Sequence, residues 1–174
     1  MNKYIKYIKY TLYTLLIIIV SFIAFLIYDE MYHDPLDDKH IKMLFPNDEV
    51  SLKMIHTKDF IGFGKDFFDI YVYKVNNASI KSNYPQFTDK WLNVKEDIIT
   101  SKWLKCPIDS ATLLLYKREI DYVIRDDNSK YKLSKDMLID KNNYYSYIFV
   151  AYHEKYFFLY KSKDNYLYYI RKRI

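Results

Sequence analysis

Residues 144–171 read YYSYIFVAYHEKYFFLYKSKDNYLYYIR. Three runs in it, Tyr145 to Tyr152, Lys155 to Lys161 and Tyr166 to Arg171, are rich in aromatic and β-branched residues, which pack well on a pleated surface and read as strands. His153-Glu154 and Ser162-Lys163-Asp164-Asn165 supply the turns between them. Strands joined by connections this short are neighbours and run antiparallel, because a parallel crossover needs a dozen or more residues. The stretch therefore predicts a β-meander.

Tyrosine dominates it, as it does the chain, where 21 of 174 residues are Tyr. Along the predicted strands the tyrosines fall on both faces. If one face fills the core, the other exposes phenols, and exposed aromatic rings are enriched at interfaces and stack on sugars. Tyr145, Tyr147, Tyr156, Tyr160 and Tyr168 are the candidate binding face on this reading. Strand preference and A/T-rich codons account for the abundance of tyrosine equally well.

Moving toward the N-terminus, Asp109 or Ser110 can cap a helix running to about Arg125, supported by opposite charges four apart at Lys117, Asp121 and Arg125. Leu113-Leu114-Leu115-Tyr116 inside it would also suit a strand. Asp126-Asp127-Asn128-Ser129 reads as a turn without the glycine and closing glutamate of an EF-hand loop. Thr88 to Trp103 has helical spacing, with Trp91, Val94 and Ile98 on one stripe. Further upstream, Val50 to His56 alternates with period two, and Phe67 to Val75 is a strong strand. The only two glycines, Gly62 and Gly64, stand between these runs, and Ile61-Gly62-Phe63-Gly64 is expected to form a bend or bulge there. The sum is an α+β fold, an antiparallel sheet of about five strands packed by one or two helices.

Asp34-Pro35-Leu36-Asp37-Asp38 reads as a helix start, with Asp34 as cap, and the helix should stop before Pro46. His33, Asp34, Asp37, Asp38 and His40 are the densest set of possible metal ligands, but without a closed set at known spacing they fit helix capping better. No metal or cofactor is expected.

Residues 10–28, YTLYTLLIIIVSFIAFLIY, carry no charge. A helix of that length reaches roughly 28 Å, about the hydrocarbon thickness of a bilayer. Small residues Ser21 and Ala24 sit inside the run, so it lacks the cleavage pattern of a signal peptide. A transmembrane helix is the expectation, with Tyr10, Leu15, Ile18, Phe22, Phe25 and Tyr28 among its spanning residues. Lys3, Lys6 and Lys9 precede it and Asp29, Glu30, Asp34, Asp37 and Asp38 follow, which predicts a cytoplasmic N-terminus and an extracytoplasmic remainder. The expected organisation is a basic tail (1–9), a signal anchor (10–28), a juxtamembrane stalk (29–46) and an extracytoplasmic domain (47–174).

Beyond the span, 24 Lys and Arg balance 22 Asp and Glu, which gives no pull toward nucleic acid. The bias toward Lys, Ile, Asn and Tyr matches A/T-rich codons and points to a bacterial source. The lone Cys106 can form no intramolecular disulfide and reads as a small buried side chain. His33, His40, His56 and His153 are the only imidazoles, and none stands in a G-x-S-x-G or H-E-x-x-H motif. The expectation is a non-enzymatic, membrane-anchored binding protein. Its partners are the lipid bilayer and another envelope or incoming protein, as for an immunity or exclusion protein or an accessory subunit. The alternatives are an envelope hydrolase acting on cell-wall material and a subunit assembling through its membrane helix, although that helix has no G-x-x-x-G face.

Overall fold

The structure, a computed structural model, describes residues 2–32, 35–47, 49–63, 66–87, 98–150 and 154–173. It divides into two units, residues 1–35 and 36–174.

The first unit is one helix, α1 (Asn2–Tyr32), of 31 residues. It contains no glycine or proline, so nothing in its backbone chemistry interrupts it. The two threonines in its apolar run turn their hydroxyls inward, Thr11 to the Tyr7 carbonyl and Thr14 to the Tyr10 carbonyl, both at 3.0 Å. Leu15, Ile18, Phe22 and Phe25 are all more than half exposed, and no residue of the apolar segment Lys6–Ile27 is buried within the chain. This helix is long and apolar enough to cross a bilayer.

The second unit is built on one antiparallel sheet of seven strands. In chain order its elements are α2 (Asp38–Leu44), β1 (Ser51–Phe63), β2 (Asp66–Asn76), β3 (Ile98–Thr100), β4 (Leu104–Lys105), α3 (Ser110–Asp126), α4 (Lys135–Ile139), β5 (Tyr144–Val150), β6 (Glu154–Lys161) and β7 (Tyr166–Arg173). The strand order is β1-β2-β7-β6-β5-β3, with β4 also pairing β5. The C-terminal meander forms as its short turns dictate. The β6–β7 turn closes with Asn165 at φ 52°, a left-handed position that Asn tolerates better than most residues. The β1–β2 hairpin then adds to the free side of β7, pairing Ile70 with Ile170 and Tyr71 with Tyr169.

Both faces of the sheet are covered. On the first face, Tyr71, Tyr73, Ile148, Phe158, Leu167 and Tyr169 pack under Ile41 and Leu44 of α2, with Phe45 and Trp103. Trp103 is fixed by a 2.9 Å hydrogen bond from its indole N–H to the Leu44 carbonyl. On the second face, Ile70, Val72, Tyr145, Phe157, Leu159, Tyr168 and Ile170 pack under α3 and α4 through Tyr116, Ile120, Val123 and Leu138. Burial on both sides explains why Phe157-Phe158-Leu159-Tyr160 and Leu167-Tyr168-Tyr169-Ile170 are continuous apolar runs rather than alternating ones.

Helix α3 follows its sequence signals. Asp109 caps it, accepting the Thr112 backbone N–H at 2.9 Å, and Thr112, Tyr116, Glu119, Ile120 and Val123 form its buried stripe. The strand alternative for residues 113–116 is excluded.

Several expectations are revised. The sheet has seven strands, not about five. The helix after the apolar run starts one turn later than Asp34-Pro35 implied: Asp37 is its cap, accepting the N–H groups of Lys39 and His40 at 2.9 and 3.0 Å. It does end before Pro46, and its residues Ile41 and Leu44, with Leu36 and Phe45, are buried in the core, so this part of the expected stalk belongs to the second unit. Ile61, Gly62 and Phe63 lie within β1, with a register irregularity between Asp59 and Ile61, and Gly64 falls outside the described residues. Of the helix expected over 88–103, Trp91 and Val94 lie outside the described residues, and Ile98–Thr100 is the strand β3.

Candidate functional site

Strand pairing and helix docking bring several charged side chains into three clusters. On the first face, Asp69 stands opposite Arg171, and Tyr156 opposite Arg171 on its other side. Arg171 Nε donates to Asp69 Oδ2 at 2.6 Å, and its Nη2 donates to the Tyr71 hydroxyl at 2.9 Å. The same guanidinium lies 4.5 Å from the Phe67 ring centroid. Beside it, Arg173 pairs with Glu154 at 3.2 Å, and the Tyr156 hydroxyl donates to Glu154. Burial pushes the phenols of Tyr71 and Tyr156 far above their ordinary range, so both stay protonated and act as donors.

On the second face, Glu119 projects from α3 between Lys155 and Lys172, which are cross-strand neighbours on β6 and β7. Its Oε1 accepts from Lys172 at 2.8 Å and from Lys155 at 3.3 Å, while Lys155 also donates to the Leu115 carbonyl at 2.8 Å. Burial opposes the charge of Glu119, but the Lys172 hydrogen bond and the nearby ammonium groups hold the carboxyl below its ordinary range. Its Oε2 is buried with no hydrogen-bond partner among the described residues.

The third cluster joins β1 to the end of α3. His56 Nε2 lies 3.2 Å from Asp127 Oδ2, and Asp127, only 1% exposed, also accepts the Ser129 N–H at 2.9 Å. The imidazole packs beside the Tyr131 ring at 6.2 Å. A histidine held by a buried carboxylate is two-thirds of a hydrolytic triad. The neighbouring hydroxyl, Ser129 Oγ, is engaged with the Tyr131 N–H at 3.1 Å, so the loop uses these groups to fix its own shape.

None of these pairings carries a local signal. The partners are 102 residues apart for Arg171 and Asp69, 71 for His56 and Asp127, and 53 for Lys172 and Glu119. Only the Asp127-to-Ser129 turn was legible beforehand.

The residues singled out from sequence fall as follows. His40 Nδ1 lies 2.8 Å from Asp37 Oδ1, within the cap of α2, and the His40 backbone N–H holds the Asp37 carboxyl below its ordinary range. His33, Asp34 and His153 lie outside the described residues. Among the described residues, no three His, Cys, Asp or Glu side chains converge as metal ligands would. Cys106 is buried, which pushes its thiol up to about 12. Of the five candidate tyrosines, Tyr145, Tyr147 and Tyr168 belong to the second face and Tyr156 and Tyr160 to the first. Tyr145, Tyr160 and Tyr168 are buried, while Tyr147 and Tyr156 keep part of their surface in solvent. The register thus distributes these rings over both faces instead of collecting them on one. Arg125, expected to pair with Asp121, turns instead to Asp126 at 2.8 Å.

A groove of about 270 Å³ opens between α3 and α4. Ile108, Leu113, Ile120, Leu138 and Ile139 form its walls, and Lys117, Asp121 and Lys135 stand among them. Nothing in the sequence marked it, because its apolar residues come from three separate segments.

Neither a protein-family model, nor a curated protein, nor a solved structure matches this chain.

Proposed function

We propose that the chain is a membrane-anchored, non-enzymatic binding protein, with α1 crossing the bilayer, its N-terminus in the cytoplasm and the second unit outside. The observation that carries this reading is α1 itself: an unbroken helix with an uncharged run over residues 10–28, and no residue of its apolar segment Lys6–Ile27 buried. In water such a surface is strongly unfavourable, at about 25 cal/mol for each Å² left uncovered, and a bilayer removes that cost. The lysines before the apolar run and the acids after it support the orientation.

Binding rather than catalysis is supported by how the second unit spends its charged groups. Asp69 with Arg171, Glu119 with Lys155 and Lys172, and Glu154 with Arg173 tie strands and helix together. The partner is another protein of the envelope or one arriving from outside, as for an immunity or exclusion protein or an accessory subunit.

The test is fractionation of cells carrying the full chain, followed by cross-linking from outside. The reading expects the chain to stay with membranes through an alkaline carbonate wash. It also expects an impermeant cross-linker applied to intact cells to yield one discrete adduct of higher mass. A chain released by carbonate, or one that cross-links to nothing, would count against it.

A further inference from the structure

We propose that the α3–α4 groove receives a segment of a partner protein that presents one bulky apolar side chain flanked by carboxylates. This deepens the binding reading above and rests on it.

Three observations carry it. Outside α1, the large apolar side chains exposed among the described residues are Ile99, Leu104, Leu113, Leu114 and Ile139. Leu113 and Ile139 line the groove, Leu114 is the next residue on α3, and Leu114 and Ile139 are 78% and 63% exposed. Apolar side chains gathered around a concavity mark an interface, whereas single ones scattered on a surface do not.

The size is informative as well. At about 270 Å³ the groove lies below the range of pockets that engulf a whole cofactor or small ligand, and suits one or two side chains of a longer segment. The charge then sets the chemistry of the flanks. Lys117 and Lys135 take part in no ion pair among the described residues, and Asp121 is the one carboxylate among the residues that line the groove. Two free ammonium groups against one carboxylate favour acidic neighbours on the incoming segment, and Asp121 can accept one of its N–H groups. Helix α3 is held in place by the Asp109 cap and by a 2.8 Å hydrogen bond from the Tyr116 hydroxyl to the Ile148 carbonyl, so the groove needs little ordering on binding.

The experiment uses the full chain in lipid nanodiscs and two short synthetic peptides, read by fluorescence anisotropy. One carries Leu and Phe flanked by Glu, and the other has Lys in place of each Glu. The acidic peptide is expected to bind about tenfold or more tightly than the basic one. The double variant Lys117→Glu with Lys135→Glu should invert that preference, and Ile139→Glu, at an exposed position, should abolish binding of the acidic peptide. Equal binding of the two peptides, binding of neither, or a preference unmoved by charge reversal would overturn the proposal. So would quenching of a fluorophore on Ile139→Cys by a quencher attached to the nanodisc lipid, which would give the groove to the membrane surface. A cellular cross-link that forms and survives Ile139→Glu would remove the groove while leaving the membrane-anchored binding reading in place.

Discussion

Asp109 does three jobs with one carboxylate. It accepts the Thr112 N–H and hydroxyl at 2.9 and 2.7 Å and the Tyr145 hydroxyl at 2.7 Å, so it starts α3 and ties it to β5. The Thr112 N–H above all holds its carboxyl down to about 2, against an ordinary 3.8. A depressed carboxylate contributes its full share above the ordinary value and loses it as pH falls through the folded one. Asp109→Ala should therefore lower stability by about 1 kcal/mol at neutral pH. In thermal unfolding the gap between variant and wild type should close as pH approaches 2. Glu119 follows the same sign from a buried position, with its contribution lost as pH drops below the ordinary glutamate range. Glu119→Gln leaves Lys155 and Lys172 uncompensated and should cost about 3 kcal/mol in chemical denaturation, reduced to the extent that Lys155 reaches solvent.

At the scale of elements, the central strands are stabilised from both sides. Phe158 is fully buried and stacks parallel to Tyr169 at 4.8 Å between ring centroids. Phe158→Ala should cost about 4 kcal/mol in the same measurement. Tyr116→Phe, which keeps the ring of a fully buried residue and removes only its bond to the Ile148 carbonyl, should cost about 1 kcal/mol. The meander and α3 could be read from sequence because their determinants are local: short polar turns, a capping aspartate, a stripe at helical spacing. Strands β3 and β4, of three and two residues, are too short to show a period. At Ile98 the helical reading gives way to a strand, because adjacent isoleucines fit a strand equally well and pairing with Ile148 to Val150 decides between them. Expecting one wet face overlooked that four successive apolar residues on β6, and again on β7, require cover on both sides. The groove was illegible because Ile108, Leu113 and Ile139 meet only after α3 and α4 dock on the sheet.

For the molecule as a whole, the apolar N-terminal helix and the sheet covered on both faces are separate pieces of physics, and the helix was the more legible of the two. A helix able to cross a bilayer needs only the right composition and length, and residues 10–28 supply both. Replacing Ile18 and Phe22 together by Arg puts two charges in the middle of that run, each opposing insertion by about 3 kcal/mol. The double variant should move from the carbonate-resistant membrane fraction to the wash, which fractionation reads directly. The chain also provides its own background for a topology test. Its one thiol, Cys106, is buried and held protonated, with its value pushed up to about 12, whereas Ser79 is exposed. A membrane-impermeant maleimide applied to intact cells should therefore leave the wild type unlabelled and label Ser79→Cys fully. Labelling of Ser79→Cys only after the cells are broken open would contradict an outward-facing anchored domain.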